Sequence, residues 1–161
     1  MEPYQEFESL RGRLWIEAGD VVWRPTGTGH RFQVEIAGGS GDCRLVVSAP
    51  DRPWPSGQVS LIWNAVRVRG LDLYGPAHPY RGKKVPTPHR QFFTTIGEWQ
   101  AESVDLQEEG LDGLRQALRW FLDWCGIEWQ FRWRDPPTQP TTPGTAQTRA
   151  MRQARIPRKR R

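Results

Sequence analysis

The sequence, 161 residues long, predicts an α+β fold: an antiparallel β-sheet with one long C-terminal helix packed on a face. Three observations carry that prediction. Residues 111–125 hold an apolar stripe at 3.6-residue spacing (Leu111, Leu114, Leu118, Phe121, Leu122, Cys125), the mark of a helix with one buried face. Runs rich in Val, Ile and Phe recur upstream, separated by glycine-rich turns, as in strands joined by hairpins. The order (short helix, many strands, one long helix, a final strand) is that of an α+β domain with a helix laid on one sheet.

Each element has its own signal. Residues 3–12 read as a short N-terminal helix, because Tyr4, Phe7 and Leu10 recur at threes. Segments 21–24, 31–37 and 43–49 read as strands, and Gly38-Gly39-Ser40-Gly41 turns the last two into a hairpin. The apolar run 58–74 is one bent strand or two. Strands near 90–96 and 99–105 pair across Ile96-Gly97-Glu98. Gly126 caps the long helix. Ile127, Trp129, Phe131 and Trp133 then alternate with Glu128, Gln130, Arg132 and Arg134, a strand with one polar face.

The net charge of +5 is unevenly divided. Residues 135–161 carry seven cations and one acid, Asp135, which leaves the body, residues 1–134, with 16 cations and 17 acids. The segment opens DPPTQPTTPGTAQT and closes with Arg149, Arg152, Arg155, Arg158, Lys159, Arg160 and Arg161. Its composition gives it too little apolar surface to order itself, so it is expected to be a disordered basic tail on a single domain. A cationic arm of this kind binds polyanions by counterion release, with little sequence preference. The alternative is a solubilising terminus.

No apolar run approaches the roughly 20 residues of a spanning helix, and MEPYQEFESL has no signal-peptide pattern. Cys43 and Cys125 match no metal or redox spacing and read as reduced thiols. The expectation is a cytoplasmic protein with no membrane role, no metal and no cofactor.

The candidate chemistry lies between Leu71 and Phe93. His78 and His89 stand at the two mouths of a basic loop with Arg81, Lys83, Lys84 and Arg90 close by, and Asp72 precedes it on a strand. Imidazole is the side chain that titrates nearest neutrality, and cations beside it would stabilise charge on a phosphodiester. On that reading one histidine removes a 2′-hydroxyl proton, the other protonates the leaving oxygen, and Lys83, Lys84 or Arg90 faces the phosphate. Asp72 either orients an imidazole or is a solvent-facing acid. The plainer reading has both histidines bonding backbone around a proline-stiffened loop. Trp54 and Trp63 are the tryptophans best placed for base stacking.

Leu71-Asp72, Gly75-Pro76, His78-Pro79, Gly82, Pro86, Pro88 and His89 make this stretch resemble the central motif of a family of short bacterial and phage proteins of unknown biochemical function, some found in toxin–antitoxin-like gene pairs. The close resemblance covers residues 67–93. It departs at Gln91, where the family motif has a second histidine, and in the basic loop, where the family tends to Asn and Asp. The resemblance implies a toxin-like protein. The reading that follows is action on nucleic acid, RNA rather than DNA, through a metal-independent ribonuclease centre. Its rival is a non-catalytic module that binds nucleic acid or an acidic protein, as an adaptor, antitoxin or phage inhibitor would.

Overall fold

A computed structural model describes residues 1–17 and 19–137, and the expected basic tail from residue 138 onward lies outside them. The described residues form an α+β fold with a mostly antiparallel sheet and two helices. Helix α1 spans Pro3–Leu10, with Pro at its first turn and the Glu2 N–H donating to Gln5 Oε1 at 3.2 Å. Phe7 is its fully buried anchor.

Strands β1 (Leu14–Ile16), β2 (Arg24–Pro25), β3 (Gly29–Glu35), β4 (Cys43–Pro50), β5 (Gln58–Trp63) and β6 (Val66–Asp72) follow. The apolar run 58–74 is therefore two strands, hinged at Asn64-Ala65, both with positive φ. Next come β7 (His78–Tyr80), β8 (Lys83–Val85), β9 (His89–Phe93) and β10 (Trp99–Ser103), then helix α2 (Leu114–Cys125) and β11 (Ile127–Trp129). The main sheet runs β10-β9-β6-β5-β4-β3-β2, antiparallel throughout.

Three expectations are corrected. The C-terminal helix is not long: it has 12 residues and starts at Leu114, because Gly113 is extended and Leu111 is buried from the preceding turn. The last strand stops at Trp129 and pairs in parallel with β1, outside the main sheet, although Phe131 still reaches the core. The loop between the histidines is itself a hairpin, β7–β8, turned at Arg81-Gly82 with φ of 47° and 74°, the left-handed pair of a two-residue hairpin turn.

The helices cover one face of the sheet. Leu45, Val47, Val59, Leu61 and Leu71 point into that face and meet Leu118, Phe121, Leu122 and Cys125 in one core. Gly126 takes the left-handed cap conformation, φ 68°, with its N–H on the carbonyls of Leu122 and Asp123. Cys43 and Cys125 are free and buried, and burial pushes the Cys43 thiol up to about 12. Among the described residues, no helix is long and apolar enough to cross a membrane.

Candidate functional site

The second face of the sheet carries the site. Alternation places Gln58, Gly70, Asp72, His89 and Gln91 there, since cross-strand register pairs Gln58 with Asp72, Asp72 with His89, and Gly70 with Gln91. Arg67 joins them through a β-bulge. Ile62 pairs with Arg67 but Leu61 with Arg69, which leaves Val68 as the extra residue. Without that insertion Arg67 and Arg69 would share a face; with it they part. Gly70 makes room for the result, since a Cβ there would stand 2.3 Å from Arg67 Nη2.

Six side chains form one connected network. Arg67 Nη2 donates to Asp72 Oδ1 and Arg67 Nη1 to Gln91 Oε1, each at 2.7 Å. Gln58 Nε2 also donates to Asp72 Oδ1, at 2.7 Å. Asp72 Oδ2 lies 3.2 Å from His89 Nε2, and His89 Nδ1 lies 3.2 Å from the Pro86 carbonyl. Gln91 Nε2 sits between the imidazoles, 3.1 Å from His78 Nδ1 and 3.2 Å from His89 Nε2. The two rings are 5.9 Å apart between centroids.

The roles of the two histidines follow from this wiring. His89 is 1% exposed, and both its nitrogens face protein atoms. Nδ1 donates to the Pro86 carbonyl, and Nε2 either accepts from the Gln91 amide in the neutral ring or donates to Asp72 in the protonated one. His78 is half-buried at the start of the hairpin. Arg67 fixes the Gln91 amide with its oxygen on the guanidinium, so the amide N–H points at His78 Nδ1 and leaves the His78 proton on Nε2. Burial, the neighbouring His89 and the Arg67 charge lower the His78 pKa against the raising effect of Asp72, which favours the neutral ring on balance. Burial alone would raise the Asp72 pKa, but the Arg67 charge and the hydrogen bonds from Arg67 and Gln58 outweigh it and hold the carboxyl below its ordinary value. The site is rich in N–H donors, and its imidazole lone pairs are occupied.

The structure brings His78, His89 and Asp72 together and adds Arg67, Gln91 and Gln58. Arg67 was not legible because it shares sequence parity with Arg69; only the bulge separates them. Lys83 and Lys84 lie exposed on β8 without an ion-pair partner among the described residues, and Lys83 shares the hairpin face of His78. The hairpin is tied down at Arg81, whose Nη2 reaches Glu98 at 2.7 Å. Arg90 faces the helices instead. It bonds Glu102 at 2.7 Å, and its guanidinium lies 5.0 Å from the Trp124 ring centroid. Trp63, expected to be available for stacking, is fully buried and donates to Glu6 at 3.0 Å, while Trp54 is half-buried. The seven cations from Arg149 to Arg161 lie outside the described residues.

Comparison with protein-family models, with curated proteins and with solved structures yields no match, so the resemblance of residues 67–93 rests on its motif alone.

Proposed function

We propose that this is a toxin-like, cytoplasmic nucleic-acid-binding protein, with RNA the preferred ligand, that recognises its ligand without cleaving it. One observation supports this above the rest: Arg67 holds the Gln91 amide so that its N–H occupies His78 Nδ1. A general base needs a free lone pair within reach of the substrate proton. His78 offers an Nε2–H donor instead, and His89 is sealed. Donors of this kind suit phosphate oxygens. Arg149 to Arg161 would add affinity without adding specificity.

The test is a metal-free RNA cleavage assay on wild type, His78→Ala and His89→Ala, run beside a binding titration. The expected result is no histidine-dependent cleavage, with log affinity falling by ~0.7 per contacted phosphate for each unit of log salt. A second reading draws on the 5.9 Å separation of the rings. In it His78 removes the 2′-hydroxyl proton, the 2′-oxygen bonds to phosphorus, the P–O5′ bond breaks and the proton passes to the leaving oxygen. Wild-type cleavage that disappears in His78→Ala would establish that reading and overturn ours. Failure to bind nucleic acid at all would move the partner to an acidic protein.

A further inference from the structure

We propose that a second subsite, on the row of residues that continues from the His78 network across the open face, holds one nucleotide of a single strand. The proposal rests on the nucleic-acid reading above and extends it. Register aligns Arg31 with Ser48, Ser48 with Gln58, Gln58 with Asp72 and Asp72 with His89. These residues share a face and form a polar line across five strands. Four inter-strand steps make the line roughly 19 Å long.

A cavity of about 350 Å³ opens over the Arg31 end, within the size range of small-ligand sites. Four features give it a nucleotide's chemistry. Arg31 is exposed and has no ion-pair partner among the described residues, so its guanidinium is free for a phosphate. Tyr74 lines the cavity and is 52% exposed. The Arg52 guanidinium lies 3.7 Å from its ring centroid, and together they make a flat cationic platform on which a base can stack. Ser48, Thr26 and Thr28 supply hydroxyls that donate or accept at base edges.

Gln58 joins the two halves. It lines the cavity and donates to Asp72, so a strand bound at His78 meets continuous polar surface as far as Tyr74. A base must leave its stack to enter a cavity, which selects single strands. The larger cavity on the helix side, about 640 Å³, lacks this character. Its Arg69 and Arg90 are already answered by Glu8 and Glu102.

The experiment uses the full chain and a 5′-fluorescein-labelled hexaribonucleotide of mixed sequence, with affinity read by anisotropy at fixed salt. Tyr74→Ala and Arg31→Ala should each weaken binding roughly tenfold, and Tyr74→Phe should keep it, because stacking needs the ring and not the hydroxyl. Both residues are exposed, so the variants should melt with the wild type. If His78→Ala weakens binding while Tyr74→Ala and Arg31→Ala do not, the subsite is overturned and the binding reading stands. If none of the three changes affinity, neither His78 nor the cavity holds the strand, and both the subsite and the recognition role of His78 fall.

Discussion

The two faces of the main sheet use arginine in opposite ways. On the helix face, Arg69 is 6% exposed and caged by aromatic rings, its charge 4.4 Å from the Trp124 centroid and paired with Glu8. There the guanidinium packs among aromatic rings at the border of the core. On the open face, Arg67 makes two 2.7 Å hydrogen bonds that set the orientation of a carboxylate and an amide, and through the amide that of an imidazole. The first arginine serves packing and the second serves geometry. The difference teaches that burial alone does not mark a functional cation; what matters is what its N–H groups align.

That contrast can be tested by size of effect. The helix face should respond most. Phe121 is fully buried under α2, and Phe121→Ala should cost about 3–5 kcal/mol, read by urea denaturation. A loss under about 1 kcal/mol would mean that the helix is not a structural layer of the core. Gln91→Leu comes next. It keeps volume at a site 5% exposed but leaves Arg67 Nη1 without its acceptor and His78 without its donor, at a cost of about 1–3 kcal/mol.

Acid should then act on the open face. The Asp72 carboxyl titrates below its ordinary value, so the folded state binds fewer protons than the unfolded chain. Its contribution is complete above the unfolded pKa, about 4, and is lost as pH falls through the lower folded value. His78 acts in the same direction: with its pKa lowered, its contribution is complete above about 6.5 and declines below that. Asp72→Asn should remove the more acidic step from a pH–stability curve and His78→Ala the nearer one; an unchanged acid limb in Asp72→Asn would contradict the wiring.

The last variant is Gly70→Ala. Its backbone has no left-handed φ, but the added methyl would stand within 3 Å of the Arg67 guanidinium, which must swing away and leave Asp72 and Gln91 without their 2.7 Å donor. Stability should fall by about 1–3 kcal/mol, as for Gln91→Leu, and ligand binding at His78 should weaken with it. Unchanged stability would show that Arg67 does not hold the network.

Much of this arrangement was legible in the sequence. The α2 stripe named Leu118, Phe121, Leu122 and Cys125, all buried, and the hairpin of β3 and β4 falls where alternation put it. Asp72, His78 and His89 converge as their shared loop suggested. Other features follow from long-range pairing, which periodicity does not encode. Alternation from Ile127 onward shows which side chains turn inward but not that the backbone partner is Leu14–Ile16, more than a hundred residues earlier. The hairpin from His78 to Val85 was hidden by the shortness of its strands and by Pro79 within one of them. The role of Gln91, seen in sequence only as a missing histidine, needed Arg67 beside it, and Arg67 needed the bulge.

The parallel pairing of β1 with β11 sets an order of events during synthesis. A chain emerging from its N-terminus holds Leu14–Ile16 only through the bridge of Trp15 to Ala37 until Ile127–Trp129 has left the ribosome. Helix α2 arrives in the same late stretch. Until then the apolar face formed by Leu45, Val47, Val59, Leu61 and Leu71 has no helix α2 to cover it. The nascent protein therefore carries a nearly finished sheet with one sticky side, a state in which a chaperone or an early partner finds its best opportunity.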